Sequence, residues 1–349
     1  MDDLLQRLRA GEARALARAI TLIESGDETG QRLLARLRPE GGRARVIGVT
    51  GAPGSGKSTL TDAMVGWARA RDERVAVVAV DPSSPFSGGA ILGDRIRMTR
   101  WHSDPGVFIR SMATRGHLGG LAAATLQVVA FLDAVGFGTI LIETVGVGQS
   151  EVEIAEAADT TVLVLTPGQG DAVQAFKAGI MEIADIFVVN KADQPGANRL
   201  KREIRAMLAI ARQNAHDVGG DERGGMERGG EHRGGEHRGG EHRGGEQHGD
   251  EHRGDGHRGD VWRIEVLETV ASEGSGVEQV MEEVERHARY LRETGLLEQR
   301  RRRRAGFEVA AILHEELRRS LAGREDALVG EILAGKMTPA QAVARLLER

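Results

Sequence analysis

Apolar residues in this chain follow two rhythms. In the middle of the chain they form short continuous runs at residues 46–50, 75–80, 107–109, 139–142, 161–165 and 186–189, with helical stretches between them. These runs are rich in Val and Ile and show no polar alternation, the pattern of strands covered on both faces. Strands alternating with helices predict a parallel α/β sheet joined by right-handed crossovers. Another run, 262–267, resumes the strand pattern later in the chain.

Toward both ends the rhythm is helical. Leu4, Leu5, Leu8, Ala13, Leu16, Ala17 and Ile20 recur near helical spacing among charged residues. Ser25-Gly26-Asp27 predicts a break between two helices, and the stretch from Pro39 to Gly42 ends the second. After Gly276 the pattern predicts helices over 277–293 and 305–321, then a final pair. The last begins with Thr338 as N-cap and Pro339 in the first turn. The expected organisation is a helical extension over 1–42, an α/β domain over 43–294 and a helical region over 295–349.

Residues 219–260 follow neither rhythm. They hold 16 of the 48 glycines and six histidines, with Gly-Gly-Glu-His-Arg repeated from 229, 234 and 239. Met226 is nearly the only apolar residue there. Such a stretch cannot bury enough apolar surface to offset its ordering entropy, so it reads as a disordered surface insertion.

Composition narrows the function. With 349 residues, 40% of them hydrophobic, the chain can bury a core without staples. A net charge of −5 argues against a generally basic nucleic-acid coat, and 3% aromatics leave little for base-stacking platforms. With no cysteine, disulfides, thiolate nucleophiles and Cys-based zinc sites are excluded. Neither a secretory leader nor an apolar run of about 18 residues is seen. The expectation is a soluble, cytoplasmic protein with neither nucleic-acid nor membrane partners.

The strongest chemical signal follows the first strand. Gly51, Ala52, Pro53, Gly54, Ser55, Gly56, Lys57 and Ser58 match G-x-x-x-x-G-K-[ST] in full, between the strand and a helix predicted from Thr59 to Arg71. The glycines let backbone amides turn inward around phosphates, and the helix N-terminus adds partial positive charge. Lys57 is expected on the β and γ phosphates and Ser58 on Mg2+. A metal held there needs a further acidic group. Asp81, after the second run, and Glu143, after the fourth, stand where a parallel sheet assembles its ligand site. Asp94 lies in a loop and is a weaker candidate on position alone. Glu143-Thr144-Val145-Gly146 fits an acidic-x-x-Gly pattern in which the Gly146 amide senses the γ-phosphate. Val147 stands where a water-positioning glutamine could follow, so slow intrinsic hydrolysis is expected.

Asn190, Lys191, Ala192 and Asp193 give N-K-x-D after the sixth run. The Asp193 carboxylate can pair with the N1 and exocyclic amine donors of guanine, which adenine does not present in that pattern. Ser272 and Glu273, in Ala-Ser-Glu-Gly after the next strand, lie where a further base-contacting loop is expected. GTP and GDP are therefore the expected nucleotides. The second run is uniformly apolar and directly follows the phosphate-loop helix, so it reads as a buried parallel strand. By analogy of pattern, this places the chain with the metallochaperone and signal-recognition class of GTPases rather than the Ras-like class.

With these motifs in place the sequence resembles the MeaB/ArgK family, GTPases that accompany cobalamin-dependent acyl-CoA mutases. The matching stretches are 14–20, 51–59, Asp81-Pro-Ser-Ser84, 88–95, 108–116, Glu143-Thr-Val-Gly-Val-Gly-Gln-Ser-Glu151 and 190–193. The resemblance implies a P-loop NTPase sheet flanked by helices, with helical extensions at both ends. It implies a GTPase chaperone that binds the mutase, gates cofactor loading and helps remove inactivated cobalamin. Lys57, Asp81, Asp94 and Glu143 would form its nucleotide site. The loop from Gly170 to Lys177 would act as a further switch, and the C-terminal helices would form a homodimer. The 219–260 insertion departs from the family. Its histidines raise a second reading, a nickel-insertion GTPase, although incidental metal affinity is the blander account. A third is a kinase acting on a transport protein, which would need a dedicated base for a protein acceptor. Arg300–Arg304 read as a solvated helix face.

Overall fold

Seven apolar segments form one parallel sheet in a computed structural model that describes residues 1–81, 98–113, 123–144, 150–168, 183–218, 261–321 and 325–347. The strands are β1 (Arg45–Thr50), β2 (Val75–Asp81), β3 (Val107–Ala113), β4 (Thr139–Thr144), β5 (Thr160–Leu165), β6 (Ile186–Asn190) and β7 (Glu265–Thr269). Their spatial order is β3-β2-β4-β1-β5-β6-β7, and every pairing is parallel. From β1 the chain runs outward one way to β2 and β3. It returns through β4 and then runs the other way, which puts the switch of direction beside the end of β1.

Both faces are buried because alternate residues of each strand meet different helices. Val46, Ala76, Val78, Ile140 and Ile142 pack with α2 (Ala13–Glu24), α3 (Glu28–Leu37) and α5 (Ala123–Ala134). Ile47, Val49, Val77, Leu141, Val162 and Val188 pack on the opposite face against α4 (Lys57–Arg69) and α8 (Val277–Glu293). This explains the unbroken apolar runs, since period-two alternation requires one wet face. Helix α6 (Ser150–Ala157) lies behind β1, and α7 (Ala197–Val218) covers β6 and β7. The N-terminal extension shares the first of these cores rather than forming its own.

Several boundaries differ from the sequence reading. The N-terminal segment holds three helices, because α1 (Asp2–Arg9) ends at Gly11, whose φ of 74° closes a turn on the Leu8 carbonyl. The last strand starts at Glu265 rather than 262, since the Trp262 indole donates to the Asp185 carbonyl (2.9 Å) outside the ladder. Helix α9 (Leu296–Leu321) starts at once after Gly295 instead of at 305, and is followed by α10 (Glu325–Leu333) and α11 (Pro339–Leu347). The capping expected for the last helix is present: the Gln341 amide donates to Thr338 Oγ1 (3.3 Å), and the Thr338 amide donates to Gln341 Oε1 (2.8 Å).

The solvated face expected for Arg300–Arg304 is also corrected. Arg300 donates in bidentate fashion to the Asp185 carboxylate (2.7 and 2.8 Å) and to the Asp159 carbonyl (2.7 Å). Arg304 bonds the Asp159 carboxylate, and Arg301 donates to the Gly42 carbonyl (2.6 Å). Arg302 and Arg303 are exposed. Asp159 and Asp185 immediately precede β5 and β6 and accept the amides of Val46 (3.2 Å) and Thr161 (2.8 Å). Buried carboxylates need such partners, and Arg300 and Arg304 are drawn inward to supply them. Beside them, His287 is 1% exposed, with Nδ1 2.8 Å from Thr160 Oγ1. Burial outweighs the nearby Asp185 and pushes its pKa down to about 4, so the ring is neutral at physiological pH. The insertion at 219–260 lies outside the described residues.

Candidate functional site

The residues expected to hold phosphate sit at the carboxyl end of β1, and two glycines are required there by geometry. Gly51 has φ 141°, and a Cβ on it would stand 2.1 Å from the Val164 carbonyl oxygen. Gly56 has φ 91°, and its Cβ would stand 2.2 Å from Asn190 Nδ2. Only residues without a Cβ let the loop pass this close to β5 and β6. Helix α4 begins at Lys57, so the amides of its first turn open toward the loop. The Lys57 side chain, 5% exposed, folds back and donates to the carbonyls of Gly51 (2.7 Å) and Ala52 (2.9 Å).

The Ser58 hydroxyl donates to Glu143 Oε1, and both side chains are buried. Glu143 lies in β4 opposite Val49 of β1, which brings the acid of the fourth apolar run to the start of the phosphate-loop helix. A hydroxyl and a carboxylate meeting in a buried pocket are hard oxygen donors, the donor type Mg2+ selects. Asp81 closes β2 next to β4. Its side chain, together with Asp94, Gly146 and the loop from Gly170 to Lys177, lies outside the described residues.

The N-K-x-D motif is joined to the phosphate loop through two side chains. Asn190, 2% exposed at the end of β6, donates from Nδ2 to the Ser55 carbonyl (2.9 Å). Its Oδ1 accepts from Thr269 Oγ1 (3.0 Å) at the end of β7 and from the Ala271 amide (3.1 Å). Lys191, in a left-handed conformation with φ 55°, donates from Nζ to the Gly54 carbonyl (2.9 Å). Asp193, Ser272 and Glu273 are solvent-exposed on adjoining loops. The structure therefore gathers the phosphate loop, the Asn-Lys pair and the Ala271–Glu273 turn at one edge of the sheet. Thr269 was missed in the sequence. The only signal for it there is a hydroxyl closing an apolar strand two residues before Ala271.

Comparison with known proteins agrees with this geometry. The family model described as methylmalonyl-CoA mutase-associated GTPase MeaB matches residues 16–326. A protein of Pyrococcus horikoshii that carries the name of a GTPase is 41% identical, over 100% of this chain and 98% of its own. One of Mycobacterium bovis, also named as a GTPase, is 37% identical over 100% and 94%. Among solved structures, one described as a LAO/AO transport system kinase superposes with a TM-score of 0.63 at 25% identity. That match covers 99% of this chain and 96% of the other.

Proposed function

The chain belongs to the MeaB family of mutase-associated GTPases, and from that premise we propose that it is a nucleotide-gated chaperone for a cobalamin-dependent acyl-CoA mutase. In this reading it gates loading of the mutase cofactor and protects or reactivates the enzyme. The observation that carries the nucleotide half is the Asn190 side chain, which bonds the phosphate loop and the base-side turn at once. A ligand that spans both would be held by one connected unit.

In this proposal Lys57 exchanges its two carbonyl partners for phosphate oxygens, and the amides at the start of α4 face the same charge. Asp193 reads guanine, with Ser272 and Glu273 beside it. Ser58, Glu143, Asp81 and Asp94 would hold Mg2+, whose chemistry is to neutralise the charge that develops on the phosphates. Hydrolysis by the isolated protein is expected to be slow, since Val147 offers no side-chain amide to orient water.

A homodimer is part of the proposal. Val309, Leu313 and Leu317 recur every four residues along α9 and are 66%, 59% and 39% exposed. Apolar side chains in one such stripe favour a partner surface. The nickel-insertion reading rests on the histidines of 219–260, which lie outside the described residues, and neither it nor the transport-kinase reading is favoured by the comparisons.

Titration calorimetry with GDP and ADP tests the nucleotide reading: Mg2+-dependent binding of GDP alone supports it, and equal binding of ADP refutes it. Glu143→Gln should lower GTP turnover about a hundredfold or more, as loss of a major electrostatic contributor does. For the client, capture of a cobalamin mutase subunit must change between GDP and a non-hydrolysable GTP analogue; capture indifferent to nucleotide rejects the gating role.

A further inference from the structure

We infer that the cavity where α3, α5 and α9 meet binds a small organic anion, a carboxylate head on a short aliphatic body. The site is separate from the phosphate loop and does not depend on the nucleotide reading.

The cavity has a volume of about 240 Å3, under the roughly 300–1,000 Å3 of sites for drug-sized ligands. Leu126, Val129 and Ala130 of α5 and Ala305 of α9 give it an apolar lining. Its charged lining is Arg38, Asp133, Arg301, Arg304 and Glu308. Both carboxylates are already engaged within the fold. Asp133 accepts the amides of Gly42 (2.5 Å), Arg43 (3.0 Å) and Ala44 (2.8 Å). Glu308 accepts both arms of the Arg38 guanidinium (2.9 and 2.7 Å).

The other two arginines keep donors in hand. Arg304 bonds the Asp159 carboxylate, yet its Nε is buried and has no acceptor. Such a group costs stability until something accepts from it. Arg301, half-buried, donates from Nη1 to the Gly42 carbonyl (2.6 Å), and among the described residues no carboxylate pairs with it. A guanidinium offers five N–H donors in a planar fork, so most of those on Arg301 remain for a ligand. The two residues are three apart on α9 and so share one helix face. Guanidinium donors beside an apolar wall suit a carboxylate that carries a hydrocarbon chain. A bare inorganic ion would answer the arginines and leave the α5 lining unused.

The cavity also lies far from the nucleotide residues. Gly42 and Asp159 precede β1 and β5, whereas the phosphate loop follows β1. The length of that strand, about 20 Å, separates the two sites.

Titration calorimetry of the full chain with hexanoate, hexylamine and inorganic phosphate, at fixed ionic strength and with or without GDP, tests the inference. Hexanoate should bind saturably and equally in both conditions, about tenfold more tightly than phosphate, and hexylamine should not bind. Arg301→Gln keeps a donor for the Gly42 carbonyl and should weaken hexanoate about tenfold, the loss of one charge-assisted hydrogen bond. Arg304→Lys keeps a charge toward Asp159 but lacks the Nε donor and should do the same. Ala130→Leu fills the apolar part and should abolish hexanoate binding without touching a charge. Circular dichroism melts establish that each variant is folded; should Arg304→Lys unfold, the other two decide. The inference fails if hexanoate does not saturate, if phosphate binds as tightly, if GDP displaces hexanoate, or if the folded variants bind it as the parent does.

Discussion

Replacing Asn190 with alanine removes three hydrogen bonds at once from a side chain that is 2% exposed. The Ser55 carbonyl and the Ala271 amide lose a partner, and the Thr269 hydroxyl must turn elsewhere. A buried polar group left without its partner costs about 1–3 kcal/mol. The hydroxyl can rotate and water can enter from the open edge, so the expected sum is about 3 kcal/mol. Asn190→Asp keeps an acceptor for Thr269 and Ala271 but sets a carboxylate against the Ser55 carbonyl. Its damage should therefore fall on the phosphate loop. Urea unfolding followed by circular dichroism, with and without GDP, measures the stability change, and calorimetry measures the affinity. Alanine should lower stability markedly and GDP affinity as well; aspartate should lower affinity more than stability. If alanine costs under about 1 kcal/mol and leaves GDP affinity intact, the side chain does not join the two loops.

Four further outcomes follow from the geometry. His287 is neutral in the fold with a pKa of about 4 against 6.5 for the free ring, so the unfolded state takes up the extra proton between those values. Its contribution is whole above pH 6.5 and declines as pH falls toward 4, by about 3 kcal/mol in all; His287→Asn should flatten the measured stability between pH 7 and 5. Gly51→Ala must force a Cβ into the Val164 carbonyl and should weaken GDP binding about ten- to a hundredfold. Gly11→Ala, where nothing lies within 4 Å, should cost about 1 kcal/mol of stability and leave GDP binding alone. Leu313→Glu should shift the chain to monomer in light scattering; a dimer that persists would move the interface off α9.

How much was legible in the sequence depended on whether the cause was local. The phosphate loop could be read because its residue types recur at fixed spacing within eight residues, although the crowding by Val164 and Asn190 that demands Gly51 and Gly56 is long-range. The strands could be read because burial on two faces leaves continuous Val and Ile. The break at Gly11 was hidden, since leucines keep helical spacing on both sides of it. Arg300 and Arg304 were misread because their partners, Asp185 and Asp159, lie 115 and 145 residues away. Asn190 was found as a base-side residue, but its bond to Ser55 depends on β6 lying two places from β1 in the sheet.

The docking of α9 has a mechanical consequence. The helix is about 39 Å long, and its first turns are bolted by Arg300 and Arg304 to the feet of β5 and β6. Its apolar stripe starts at Val309, about a turn and a half beyond Arg304. It is thus a lever whose fulcrum sits under two inner strands of the sheet. A partner that gripped the stripe would therefore bear on a helix anchored at the base of those two strands.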